Sequence, residues 1–421
     1  MILPEYYHFS ARTRVVSGLN ALQELPKLLR RAGGTNPMIV TDKGIVQAGL
    51  LDFVRKPLLA SGFSTLTVYD EVPSDSDVDT VHAAAKMYRK QSCTCIIAVG
   101  GGSVLDTAKG ITSVVSDPDA EAENFDIRAY SGAGAVNQEL GQLIAVPTTS
   151  GTGSESTLVA VIKDHKAKRK LLFTSDALLP DAAVLDPVMT LTLPPFLTAA
   201  TGMDALTHAI EAFTGLAKNP LSDGLALQSI RLITDNLISA VKYPDNKEHR
   251  LALAIGANLA GQAFSNSMVG LIHTIGHTAG SICGIHHGLC MSILLPYGLE
   301  YNLHKISDLL TEIAPVICQN TENSDKPASL ECISAIRTMN KQLNLLTGGR
   351  HAERFHDVFR PDGKPAMKPE HISLIAQSAL GDGSHFYNPE QFDYDDIKRI
   401  LEAAYWGYPL DRELIRKGHQ K

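Results

Sequence analysis

A carboxylate and a set of imidazoles spaced in fours constrain this chain more than any other feature. Asp204 and His208 stand in TGMDALTHAIEAF, and His273, His277 and His287 in GLIHTIGHTAGSICGIHHGLCMSILLP. Residues four apart on a helix share a face, so each of the pairs Asp204/His208 and His273/His277 can point one way. His287 sits in a small-residue bend that ends in Gly288. One carboxylate and several imidazoles, with no cysteine at liganding spacing, describe a mononuclear divalent site that keeps room for a substrate oxygen. A lone histidine on an apolar helix is more often a packed, hydrogen-bonded residue than a ligand. The joint spacing with Asp204 favours the ligand reading, but it does not choose between His273 and His277, nor between His286 and His287.

The first half of the chain has a different rhythm. Short β-branched runs, PMIVTD (37–42), STLTVYD (64–70), CTCIIAVG (93–100) and QLIAVP (142–147), alternate with helical patterns near 44–60, 77–91 and 103–115. Alternation of this kind predicts a parallel sheet covered by helices. The opening YYHFSARTRVVSG reads as an extra β segment, a hairpin at the sheet edge. After AAVLDP (182–187) helical periodicity takes over from Phe196 to the end, as in DGLALQSIRLITDNLISAV (223–241) and DIKRILEAAYW (396–406). The expected organisation is an α/β domain over 1–189 and an all-α domain over 190–421, and 421 residues suffice for two cores. RPDGKPAMKPE (360–370) reads as an exposed loop.

Two glycine-rich loops follow strands in the first half. In AVGGGSVLDTAKG, Gly100, Gly101 and Gly102 let backbone approach a ligand, and Ser103 begins a helix whose unpaired N–H groups favour an anion such as a pyrophosphate. The third glycine of the usual dinucleotide fingerprint would fall at Leu105, so this is a different motif. PTTSGTGSES (147–156) offers the hydroxyls of Thr148, Thr149, Ser150 and Thr152 beside Gly151 and Gly153. Either loop alone fits an ordinary strand-to-helix turn equally well. Two of them at the carboxyl ends of parallel strands point to a nucleotide. Asp42 ends the first parallel strand, where a carboxylate can accept from a ribose and disfavour a 2′-phosphate, which selects NAD over NADP. The same residue is a good N-cap for the helix near Gly44, and Lys43 beside it weakens the discrimination.

Bulk properties remove other classes. A net charge of −7 with no basic stripe argues against nucleic acid. MILPEYYHF lacks the charged and apolar regions of a signal peptide. LALAIGANLAGQAF (251–264) is too short, and too interrupted by Asn258 and Gln262, to cross a bilayer, and reads as a buried helix. The six cysteines form no CxxC pair. Cys93 and Cys95 are expected on opposite faces of a strand, as reduced core thiols of a cytoplasmic protein.

GGGSVLDTAK, PTTSGTGSE, GMDALTHAIE and GLIHTIGH…HHG, in this order, resemble the iron-containing (group III) alcohol dehydrogenases, and the likeness runs from IVTDKG to FYNPEQFDYDDIKRILEAA. The resemblance implies a Rossmann-like dinucleotide-binding α/β domain followed by an all-α metal-binding domain. It implies Asp204, His208, His273 and His287 as metal ligands, with His277 beside the metal without binding it; its position one turn from His273 makes His277 the candidate proton relay. It implies cofactor contacts from Asp42, Gly101, Gly102, Ser103, Asp106, Thr148, Thr149 and Lys170, and a substrate pocket lined by Phe264. The activity implied is hydride transfer between NAD(H), with NADP the alternative, and a small primary or secondary alcohol or aldehyde. The divalent ion is Fe2+ by resemblance, with Zn2+ favoured by intrinsic affinity. Related enzymes supply rival readings: glycerol-dehydrogenase-like polyol oxidation, or a dehydroquinate-synthase-like lyase that returns its hydride. The lyase needs a basic cluster for its substrate, whereas Ile275, Ala279, Ile282 and Ile285 favour a neutral one. A nucleotide- and metal-binding sensor without turnover is the non-enzymatic rival. No membrane partner is implied, and a homodimer through the N-terminal β segment is expected.

Overall fold

The computed structural model describes residues 4–31, 33–117, 125–167, 169–318 and 326–410. The chain divides into two compact units. One comprises Ser10–Leu193 together with Asp245–Ser265; the other comprises Pro194–Pro244, the described residues from Asn266 onward and those before Ser10.

The first stretch of chain runs β1 (Arg14–Ser17), α1 (Leu25–Arg31), β2 (Pro37–Val40), α2 (Lys43–Gln47), α3 (Leu51–Ala60), β3 (Thr67–Tyr69), α4 (Val78–Lys90), β4 (Cys95–Gly100) and α5 (Gly102–Val115). It continues with β5 (Gly132–Ala133), β6 (Gln142–Pro147), β7 (Val159–Asp164), β8 (Arg169–Thr174) and β9 (Ala182–Leu185). Helices follow: α6 (Pro195–Thr214), α7 (Pro220–Lys242), α8 (Lys247–Ser267), α9 (Leu271–Cys283), α10 (His287–Ile317), α11 (Ala328–Leu346), α12 (His371–Ala379) and α13 (Tyr394–Trp406).

In the sheet-bearing unit the strand order is β1-β9-β6-β4-β2-β3, with every neighbour parallel. Every residue of β4 is buried, as a strand covered on both faces requires. Its side chains alternate between two cores: Ile96 and Ala98 pack with Met38 on one face, and Ile97 and Val99 with Ile39 on the other. The chain passes from β2 to the edge strand β3 and then crosses back to β4. The order therefore reverses between β2 and β4, the kind of switch point where such sheets bind ligands.

Four expectations need correction or completion. The N-terminal segment is not a hairpin: residues 4–13 form no strand, and β1 alone runs parallel to β9 at the sheet edge. Cys93 and Cys95 do enter different cores, but not through strand alternation, since residues two apart share a face. Cys93 precedes β4, which begins at Cys95, so the pleat does not govern it. The β7–β8 antiparallel pair, joined to β5 in a second small sheet, was not foreseen. The expected boundary at 189/190 falls just short of Leu193, and residues 245–265 return to the sheet-bearing unit. Small residues make that return possible. Ala257 and Gly261 on α8 let the 148–156 loop come so close that a Cβ on Gly153 would lie 2.5 Å from Gly261 Cα. The polar residues that interrupt α8 have partners there: Asn258 Nδ2 donates to Glu155 (3.1 Å) and Gln262 Nε2 to Asn258 (2.8 Å).

In the helical unit, α6 is buried on every face from Thr198 to Thr214 and packs on α7 and α10. A helix enclosed all round is normally apolar throughout. Asp204, His208 and Glu211 break that rule, and burying such groups is costly unless each is paired. Residues 360–370 form a loop as expected, although Ala366 and Met367 are buried in it.

Candidate metal centre

Asp204 and His208 lie one turn apart on α6, His273 in the first turn of α9, and His287 at the first position of α10. One ligand atom from each of these four residues lies within 4.8 Å of the others. Asp204 Oδ1 is 3.2 Å from His287 Nε2, 3.8 Å from His273 Nε2 and 4.0 Å from His208 Nδ1. A tetrahedral ion with bonds of about 2.1 Å separates its ligands by about 3.4 Å, so the spacing fits one small cation. Asp204 Oδ1 and His273 Nε2 are buried without a hydrogen-bond partner. Buried polar atoms rarely stand so, and a cation between them resolves the cost for both.

The electrostatics agree. Burial alone would raise the Asp204 carboxyl, but His208 and His287 outweigh it and hold it well below the usual carboxylate range. Burial pushes His208 down to about 3, leaving it neutral and able to ligate. Burial opposes charge on His273 too, yet Glu211 and Asp204 raise it to about 9. Asp204 is therefore held as a carboxylate and His208 as a neutral imidazole where the four residues converge, the forms in which both can ligate.

Packing separates the histidines that spacing left equivalent. His277 lies outside the four-residue cluster: its Nδ1 is 2.9 Å from Asp382 Oδ2, and its ring stacks on His287 at 5.4 Å. His286 is the N-cap of α10, in extended backbone, and its ring meets Phe196 edge-on at 5.9 Å, while His287 enters the cluster. Gly288 makes this approach possible, because a Cβ there would lie 2.2 Å from the Ala200 carbonyl oxygen. Two carboxylates escaped the sequence reading. Glu211 hydrogen-bonds His273 Nδ1. It stands seven residues after Asp204 on the same helix face, a signal that was available. Asp382 lies 105 residues from His277, and no local pattern announces it.

In the sheet-bearing unit, the register places Gly100 beside Pro147, so the two glycine-rich loops leave adjacent carboxyl ends. Thr148 N donates to the Gly100 carbonyl at 3.0 Å. A Cβ on Gly102 would lie 2.9 Å from Thr152 Cγ2, so the loops face each other across a gap only glycine leaves open. The N-cap of α5 is Gly101, which has no side chain to satisfy the first-turn N–H groups. Those groups fit an anion. Four of the side chains named for the cofactor have partners within the protein. Asp42 caps α2 by accepting from Ile45 N at 3.0 Å. Ser103 Oγ donates to the Ser74 carbonyl. Asp106 accepts from Ser154 Oγ (2.7 Å) and Val161 N (3.0 Å). Lys170 Nζ is 3.7 Å from Asp75. Thr149 is half-buried at the start of the second loop.

Lys109, within GGGSVLDTAKG, was given no role by the sequence, yet it is fully buried. Its ammonium donates to Ser154 Oγ (3.0 Å), Thr157 O (2.8 Å) and Val159 O (2.8 Å), bracing the second loop against α5. Burial lowers it to about 8, against the pull of Asp106 and Glu155. Phe264 is half-buried on α8, in the sheet-bearing unit. Ile275 and Ala279 are buried in the core, so their apolar character reports packing and says nothing about substrate polarity.

Residues 12–187 match the family described as iron-containing alcohol dehydrogenase, and residues 198–405 the C-terminal part of the Fe-containing alcohol dehydrogenase family. The chain is 32% identical over 390 residues to the NAD-dependent methanol dehydrogenase of Bacillus methanolicus, covering 92% of this chain and 97% of that protein. It is 31% identical over 408 residues to the NADPH-dependent butanol dehydrogenase of Clostridium saccharobutylicum, covering 96% and 99%. The solved structure of a 1,3-propanediol oxidoreductase matches with a TM-score of 0.87 at 30% identity, over 95% of this chain and 100% of that one.

Proposed function

Since the chain belongs to the iron-containing alcohol dehydrogenases, we propose that Asp204, His208, His273 and His287 hold the divalent ion with which it oxidises or forms a small alcohol. The reaction is NAD-dependent oxidoreduction of alcohols. When bound, the cation supplies Lewis acidity toward an alcohol oxygen and the nicotinamide supplies the hydride acceptor. The chain's own groups do the rest. Asp204 brings negative charge into a buried cage of imidazoles, and His208 stays neutral there. His277 gives its Nδ1–H to Asp382, which leaves the Nε2 lone pair to take the proton released from the alcohol and pass it to water.

The backbone of the two glycine-rich loops, above all the first turn of α5, holds the pyrophosphate, with Gly101, Gly102, Ser103, Thr148 and Thr149 at the contact. Asp106 and Lys109 keep the loops in shape. Asp42, at the end of β2, favours NAD over NADP, and Lys170 and Phe264 complete the cofactor and substrate contacts. The substrate class is a small primary or secondary alcohol or its aldehyde, in keeping with relatives named for methanol, butanol and 1,3-propanediol. Iron is the ion the family description names, with zinc the competitor. The family match also favours net alcohol oxidation over a lyase that returns its hydride. Two finer points complete the proposal. The outer edge of β1 offers a strand surface for a homodimer. The free cysteines suit the cytoplasm, and no helix among the described residues is long and apolar enough to cross a membrane.

One observation carries the proposal: four donor atoms converge within 4.8 Å while Asp204 Oδ1 and His273 Nε2 lack hydrogen-bond partners. The test is anaerobic reconstitution of metal-depleted protein with Fe2+ or Zn2+, following NADH formation from short alcohols and diols. Activity should return with stoichiometric metal. Full activity in the depleted protein would refute it.

A further inference from the structure

We propose that Glu211 is the positioning residue of this cage, fixing the His273 ring through Nδ1 and thereby setting how tightly a divalent cation is held. The inference rests on the reading of Asp204, His208, His273 and His287 as the ligands. Glu211 continues the face of α6 that carries Asp204 and His208, so one helix supplies two ligands and the support of a third. Its side chain is nearly fully buried, and among the described residues its ion-pair partner is His273. Both carboxylate oxygens serve the first turn of α9: one accepts from the Ile272 backbone N–H at 2.8 Å, the other bonds His273 Nδ1. A carboxylate held from two directions cannot swing, so the imidazole cannot turn its Nε2 away. With Nδ1 committed as the donor, the tautomer is set and the Nε2 lone pair points at Asp204, 3.8 Å away.

Charge supports the same assignment. Asp204 and Glu211 bring two negative charges into a buried site, and a histidine that binds a cation does so as a neutral imidazole. A divalent cation makes the assembly neutral, the condition under which burial of so many polar groups is least costly. Partners of this kind typically alter metal affinity by roughly 10- to 100-fold. The bland alternative is that Glu211 only satisfies the N-terminus of α9 through Ile272. The two roles separate on substitution, because a cap supports the fold whether or not metal is present.

The experiment titrates metal-depleted protein with Co2+ and reads the dissociation constant and the visible ligand-field bands. Glu211→Gln keeps the size and one acceptor oxygen but removes the charge. It should raise the dissociation constant roughly 10- to 100-fold and shift the bands. Glu211→Asp, which keeps the charge at shorter reach, should recover part of the affinity, and it serves as the test if the glutamine variant fails to fold. A lower melting temperature of the metal-free variant, with wild-type cobalt affinity and bands, would overturn the proposal and leave Glu211 as a cap. If the wild-type protein binds no cobalt, the ligand reading itself falls and takes this inference with it.

Discussion

The candidate metal cage and the glycine-rich loops are built by opposite means. In the cage, side chains carry the chemistry, and two of their buried atoms, Asp204 Oδ1 and His273 Nε2, have no hydrogen-bond partner. In and around the loops several side chains are already engaged: Asp42 caps a helix, Ser103 and Asp106 bond neighbouring segments, and Lys109 braces one loop against α5. What the loops offer a ligand is backbone, namely glycines that permit close approach and a helix start without a capping side chain. Side-chain truncation should therefore be ruinous in the first region and mild in the second, where backbone changes should matter more.

The largest expected effect tests the cage. Asp204→Ala or His208→Ala should release the metal and lower turnover by roughly a thousandfold or more, since Lewis-acid stabilisation is worth several kcal/mol. Elemental analysis alongside NADH formation checks this, and retained activity without metal would break the contrast at its stronger end. Next comes His277→Ala. Its turnover should fall about a hundredfold, the lower range for a lost proton-transfer group, while metal content stays at the wild-type level. Loss of metal would instead make His277 part of the cage.

The third prediction moves to the loops. Gly153 has φ +62° and sits against Gly261, so Gly153→Ala strains the backbone and collides with α8. A destabilisation of about 1–3 kcal/mol and weaker NADH binding are expected, from melting curves and fluorescence titration. The smallest effect sharpens the comparison: Asp42→Ala should cost about 1 kcal/mol for the lost cap and shift the NAD/NADP preference toward NADP. A collapse of NADH binding in this variant would show that side chains, not backbone, carry the loop chemistry.

Much of this is legible in the order of residues. Alternating apolar runs announced the parallel strands, and the four-residue spacing announced Asp204 with His208. The β7–β8 pair was missed although its burial alternates along β7, because charged residues of KDHKAKRK masked the short strands. The placement of α8 could not be foreseen, since an apolar helix satisfies either core and its Ala257 and Gly261 gain meaning only against Gly153. Glu211 was readable in principle at one further turn of α6.

Local geometry explains where legibility ends. Helix and strand periods follow from backbone dihedrals over a few residues, so element types, the shared face of Asp204 and His208 and the glycine loops could be read from residue order. The choice of His273 over His277, and of His287 over His286, depended on how α9 and α10 are rotated against α6. That rotation is set by contacts such as Gly288 against Ala200 and Asp382 against His277, between residues far apart in the chain. Spacing along a helix names the residues able to reach a common point, and long-range packing selects which of them arrive.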